Sequence, residues 1–102
     1  MKYHGILLQL PLPIFLRDQE GYFLDLIEPQ KDVDCLTTFN KKQMEKYGDQ
    51  AYFLPCTVKG VMEMLNEKNI NLDGKRVLIV GKGRLTGLPL KSILECKEKN
   101  CN

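Results

Sequence analysis

The pentapeptide RVLIV, Arg76 to Val80, runs directly into GKGRLTG, Gly81 to Gly87, and then into a helical pattern of Pro89, Leu90, Ile93 and Leu94. No other feature of the chain narrows the choice of folds as much. An unbroken aliphatic and β-branched run is that of a strand buried in a parallel sheet, and a proline near the first turn of a helix is preorganised for it. Strand, glycine-rich loop and helix in that order make a nucleotide-binding βα unit. Small residues let backbone amides approach a diphosphate, and the following helix turns its positive N-terminus toward the same anion. The spacing is GxGxxxG rather than GxGxxG, so taken alone the loop also reads as a plain tight strand-to-helix turn. Lys82 and Arg84 add positive charge to it. The ribose reader of a dinucleotide fold, about 20 residues further on after a second strand, would fall beyond Asn102.

A second strand is expected at HGILLQLPL, His4 to Leu12, where only Gln9 breaks the apolar run and Pro11 and Pro13 end it. Such a strand is buried on both faces and needs neighbours on both sides. Tyr22, Phe23, Leu26 and Ile27 predict a short helix near 17–28, weakened by Gly21 and stopped ahead of Pro29. EPQKDVDC, Glu28 to Cys35, reads as an ordered polar loop, and Asn40 to Gln50 as a solvated connection or a short surface helix. Val58, Val61, Met62 and Leu65 predict a helix over about 58–68 with Thr57 as N-cap, ended by Asn69 or Asn71. Asp73-Gly74 is a turn, and the boundary between two structural units is expected near Ile70 to Lys75.

Composition sets the frame. With 102 residues, 43% apolar and 27% charged, the chain has the make-up of one soluble globular domain. At this size folding buries only about 60–65% of the unfolded surface, so an unpaired element matters. A net charge of +2, with basic residues spread along the chain, leaves no nucleic-acid footprint. The longest apolar stretch, Gly5 to Leu16, holds Gln9 and two prolines and is short of the roughly 20 residues that span a bilayer. It also lacks the basic region and cleavage site of a signal peptide. A cytoplasmic or mitochondrial-matrix location is therefore expected. The four cysteines form no CxxC pair and the single histidine is far away at His4, so no metal site is expected and the thiols read as reduced. Nucleophilic catalysis finds no Ser/His/Asp set, and Cys56 has no nearby base.

Two polar features remain. Gln9 in an apolar strand costs on the order of 1–3 kcal/mol unless its amide is hydrogen-bonded, so it is either a satisfied core amide or a group presented to a polar substrate. Asp32 and Asp34 are either loop carboxylates that stay solvated or cap a turn, or, grouped with Lys31, part of a charged loop beside a pocket.

Taken together, GILLQLPLP at 5–13, PQKDVD at 29–34, Asn40, PCT at 55–57 with Gly60, and the stretch from Gly74 through GKGRLTGLP to Pro89 resemble the methylenetetrahydrofolate dehydrogenase/methenyltetrahydrofolate cyclohydrolase family. The likeness covers essentially the whole chain. It implies an enzyme of one-carbon metabolism that oxidises 5,10-methylenetetrahydrofolate with NADP or NAD and hydrolyses the methenyl product to 10-formyltetrahydrofolate. It implies Gln9 and Asp34 as catalytic residues, with Gln9, Leu10, Pro11 and Asp34 against the folate. Asp34 corresponds to the aspartate that grips the pterin ring, where an acceptor-only carboxylate receives ring N–H groups. Gly81, Lys82, Gly83 and Gly87 correspond to the cofactor loop. The implied fold is α/β: the end of a folate-binding catalytic domain, 1–72, joined to the first βα unit of a Rossmann-like NAD(P)-binding domain, 73–102. Implied partners are tetrahydrofolate derivatives and a family-like homodimer, with neither nucleic acid nor membrane.

The departures are specific. The family commonly has glycine at Cys35 and at Lys42, proline at Val58, Arg-Ser at Lys82-Gly83 and valine at Thr86. Lys82 keeps charge near a 2′-phosphate but loses the bidentate fork, and Gly83 loses a hydroxyl, so NAD and NADP both stay open. The family's catalytic lysine and its tyrosine partner lie upstream of the His4 strand, and most of its cofactor domain lies downstream of Asn102. The chain is accordingly expected to be a fragment without activity of its own. The alternative is a degenerate interaction module whose exposed strands pair with a second copy or a full-length homologue.

Overall fold

Caps and glycines set the helices of the computed structural model, which describes residues 2–98. Helix α1 spans Glu20–Asp25, α2 Thr38–Tyr47, α3 Cys56–Glu67 and α4 Gly87–Glu98, with short 3-10 turns at Ile14–Gln19, Pro29–Lys31 and Gly48–Gln50. At the start of α2, the Thr37 hydroxyl accepts from the Asn40 amide at 3.2 Å. At its end stands Gly48 with φ of 61° and ψ of −131°, backbone that glycine adopts and side chains rarely do. The same glycine makes room for packing, since a Cβ there would lie 3.0 Å from Cys96 Sγ on α4.

The α3 expectation holds with the start two residues earlier. Pro55 rather than Thr57 occupies the N-cap position, and Cys56 opens the helix. Its end is a Schellman motif: Asn69 sits at φ 56°, Ile70 N–H donates to Leu65 at 2.9 Å and Asn69 N–H to Asn66 at 3.0 Å. Residues 40–50 are mostly helix, and one side is not solvated: Asn40, Met44 and Gly48 are buried. The expected helix at 17–28 divides into a 3-10 turn and the single-turn α1. Its buried line is Glu20, Leu24 and Ile27, while Tyr22 and Leu26 face outward.

The core gathers Cys35, Met44, Val58 and Ile93, with Phe53, Leu54, Met62 and Leu90 packed around them. Val58 and Ile93 are fully buried, each contributing roughly 1.5–3 kcal/mol by leaving water. Helix α4 thus shares one apolar cluster with α2 and α3.

Among the described residues no β-ladder forms; the one pairing is an isolated parallel bridge between Ile6 and Asp32. Both expected strands are present as extended, exposed chain: Leu7 is 53%, Leu78 86% and Val80 92% exposed. The physical reason is the one their composition carries. A strand meant to be buried on both faces gains its hydrogen bonds and its burial from neighbours; the first segment has only the Ile6–Asp32 bridge, and the second pairs with no strand among the described residues.

Candidate functional site

The KDVD segment folds around Asp32, which is 1% exposed. Its carboxylate accepts from the backbone N–H of Leu36 at 3.0 Å and of Thr37 at 2.8 Å, and from Asn40 Nδ2 at 2.9 Å. Asn40 Nδ2 also reaches the carbonyl of Pro29 at 2.9 Å. Burial pushes the Asp32 carboxyl up, but the bonds from Asn40, Leu36 and Thr37 together outweigh it and hold the group below its ordinary value. The Asp32 carbonyl closes the loop by accepting Cys35 N–H at 3.1 Å. Val33 and Asp34 form the middle of that turn, and Cys35 leaves it with φ of 57°. The Cys35 thiol is pushed up to about 11, first by burial and then by the Asp32 charge, which makes it a packing group rather than a nucleophile.

The first motif lies alongside the second. Ile6 N–H donates to the Lys31 carbonyl at 2.8 Å. Gly5 lies against Val33, where a Cβ would come within 2.6 Å of Val33 Cγ1. Asp34 is half-buried, and its carboxylate has no ion pair or side-chain hydrogen bond among the described residues. Gln9 is exposed rather than inside a buried strand, because the segment is paired only at Ile6; its Nε2 donates to the Leu10 carbonyl at 3.1 Å. Leu10 is half-buried, Pro11 is exposed and the Leu10-Pro11 bond is cis.

At the glycine loop the chain folds back on itself. Gly81 has φ of 125°, a conformation side chains rarely adopt. A Cβ on Gly87 would lie 2.5 Å from the Gly81 carbonyl oxygen, so loop and helix start touch backbone to backbone. Gly83 has open space around it and Lys82 is exposed. A cavity of about 900 Å³ between the 74–82 segment and α4 is lined by Lys75, Arg76, Gly81, Lys82, Gly87 and Lys91 among others, with Asp73 and Glu95 on the same wall. Lys91 is paired with Glu95 at 3.0 Å, and Lys75, Arg76 and Lys82 favour an anionic occupant. A diphosphate cradle requires bare backbone at the helix start, and these residues fit it.

The second cation of the loop is otherwise engaged. Arg84 forms an ion pair with Glu20, a carboxylate buried at the start of α1. Sequence reasoning assigned Glu20 nothing, although its i, i+4, i+7 spacing with Leu24 and Ile27 places it on the buried line. Asp32 follows the turn-capping alternative of its two carboxylate readings, and the Asn40 that accompanies KDVD in the pattern is its hydrogen-bond partner. Among the described residues no cluster of His, Cys, Asp or Glu could hold a metal, and no helix is long and apolar enough to cross a membrane.

A glycine loop folded back onto the start of a helix, with cations beside it, is the arrangement of a nucleotide-binding βα unit. Residues 55–102 match the model of the tetrahydrofolate dehydrogenase/cyclohydrolase NAD(P)-binding domain. The mitochondrial C-1-tetrahydrofolate synthase of Saccharomyces cerevisiae is 38% identical over 99 residues, 97% of this chain and 10% of the yeast protein. The bifunctional protein FolD of Streptococcus pyogenes serotype M5 is 38% identical over 91 residues, 89% of this chain and 31% of FolD. Among solved structures, the Trypanosoma brucei methylenetetrahydrofolate dehydrogenase-cyclohydrolase, complexed with NADP and an inhibitor, superposes with a TM-score of 0.82 at 37% identity, over 90% of this chain and 30% of that one. The chain belongs to the bifunctional methylenetetrahydrofolate dehydrogenase/cyclohydrolase family. It spans about a third or less of the length of these relatives.

Proposed function

We propose that these residues form the folate-facing wall and the first dinucleotide-binding loop of an enzyme that oxidises 5,10-methylenetetrahydrofolate with NADP or NAD and hydrolyses the methenyl product. In this reading 1–72 is the folate side and 73–102 the start of a Rossmann-like cofactor side. Asp34 accepts pterin N–H groups; Gln9, Leu10 and Pro11 line the same wall. Gly81, Gly83 and Gly87 bring bare backbone to the diphosphate, and Lys82 adds charge beside it. When bound, the dinucleotide supplies the hydride acceptor. The observation that carries the reading is the docking of Gly5 and Ile6 against Lys31 to Val33, which sets the glutamine motif and the aspartate motif side by side.

General acid/base catalysis needs a side chain that can give up or take a proton at the reacting atoms, and the Gln9 amide is not one. For these residues alone we therefore propose binding without turnover. Calorimetric titration of tetrahydrofolate tests it: saturable heat is expected with the 102-residue chain and loss of that heat with Asp34→Asn. Equal affinity in both would contradict the assignment, as would NAD(P)H production from methylenetetrahydrofolate by the purified chain. A cytoplasmic or matrix setting accords with relatives that include a mitochondrial synthase and a bacterial protein.

The exposure of Val77, Leu78 and Val80 favours a second reading, an interaction module that pairs through this extended segment. Light scattering tests this second reading. A dimer, or a complex with a full-length relative, is expected; a monomer that ignores the full-length enzyme contradicts it.

A further inference from the structure

We propose that Asp32 is a positioning residue for Asp34, holding from beneath the turn that presents the Asp34 carboxylate to substrate. The proposal deepens the reading of Asp34 as the folate acceptor and rests on it. Its basis is geometric. Asp32 is buried and makes no outward-facing contact, yet it uses three acceptor sites within five residues of chain. The carboxylate gathers the N–H groups of Leu36 and Thr37, which follow the turn, and the Asn40 amide, which fixes the turn to α2. Its carbonyl receives Cys35 N–H across the turn itself. Asp34 is therefore clamped on both sides by one residue, while its own carboxylate has no partner among the described residues.

The clamp also accounts for the backbone at Cys35. A non-glycine residue at φ 57° is unfavourable by roughly 1–2 kcal/mol, and two charge-assisted bonds just beyond it, to Leu36 and Thr37, outweigh that cost. Relaxation of the turn would carry Asp34 away from the direction it now faces. Binding geometry is sensitive to such shifts: a misplacement of about 1 Å can lose on the order of a hundredfold in rate. An asparagine at position 32 has the same shape but one acceptor oxygen in place of two, so it cannot serve Leu36, Thr37 and Asn40 together.

The test uses the isotope-labelled 102-residue chain. In Asp32→Asn, the Asp34 and Cys35 backbone signals are expected to shift and the positive-φ coupling at Cys35 to disappear, with α3 and α4 amides unchanged. Tetrahydrofolate affinity should fall on the order of tenfold or more while NADP affinity holds, a split that general destabilisation would not produce. Should Asp32→Asn fail to fold, Asn40→Ala removes one partner only and should shift the same signals less. Retention of the Cys35 geometry and of folate affinity in both variants overturns the proposal. If the turn changes but neither Asp34→Asn nor Asp32→Asn alters folate binding, it is the substrate reading of Asp34 that fails, and the positioning role falls with it.

Discussion

Cys35 stands where the family commonly has glycine, and the reason for that preference is visible in its φ of 57°. The side chain is nevertheless buried in the core beside Met44, Val58 and Ile93. Truncation to alanine loses sulfur packing and keeps the backbone strain, whereas truncation to glycine loses the packing and regains roughly 1 kcal/mol of strain. Cys35→Gly should therefore be more stable than Cys35→Ala in a denaturant titration, the reverse of the order in ordinary backbone. The same burial makes Cys35 unreactive toward iodoacetamide at pH 8 while exposed Cys56 alkylates. Val58, where the family commonly has proline, is the third residue of α3, and the first bond of that helix is Lys59 N–H to Pro55 at 2.9 Å. Its own N–H has no helical acceptor, so Val58→Pro removes no hydrogen bond. Val58→Ala, which empties a fully buried site, should cost about 2 kcal/mol, and Val58→Pro distinctly less.

Among the elements, α3 and α4 were readable because their signals are local. Apolar spacing, a proline in the first turn and an asparagine at the end are properties of short stretches, and Asn69 closes α3 as its sequence indicates. The glycine loop was legible for the same reason: Gly81 and Gly87 serve a backbone contact within seven residues. What could not be read locally was the anchoring of that loop to Glu20 through Arg84, or the burial of Asn40 beneath Asp32, since both join residues far apart in sequence or on an outwardly polar segment. The two strands were read as chain that wants neighbours, and their exposure here leaves that want unmet. Gly60, inside α3, has nothing within 4 Å of where a Cβ would stand. Packing gives no reason for it, so Gly60→Ala should raise stability by about 0.5–1 kcal/mol, read as a higher urea midpoint. A fall in stability would show a contact that this helix face does not display.

For the whole molecule, a radius of gyration of 14.7 Å and extents of 43 × 32 × 23 Å describe an open shape, since a compact chain of this length has a radius near 13 Å. Its stability should depend on pH through two carboxylates held below their ordinary range. Asp25 is lowered by the backbone and hydroxyl of Thr38, which join α1 to the start of α2, and Asp32 by its bonds in spite of burial. Because the folded values lie below the unfolded ones, their contribution is complete above about pH 4 and is lost as pH falls through the folded values. Unfolding midpoints should be flat from pH 5 to 7 and drop below about pH 4, with Asp25→Asn and Asp32→Asn each lowering the plateau and flattening the acid limb. Of the family's two ligand sites, the cofactor loop is the one whose defining contact, Gly81 against Gly87, lies wholly within the described residues. The most direct measurement is calorimetric titration of NADP into the chain and into its Gly87→Ala variant. Saturable binding is expected for the chain, and loss of binding for Gly87→Ala, whose added Cβ would meet the Gly81 carbonyl. Binding that survives Gly87→Ala unchanged, or no binding by the chain at millimolar NADP, would contradict the cofactor-loop assignment.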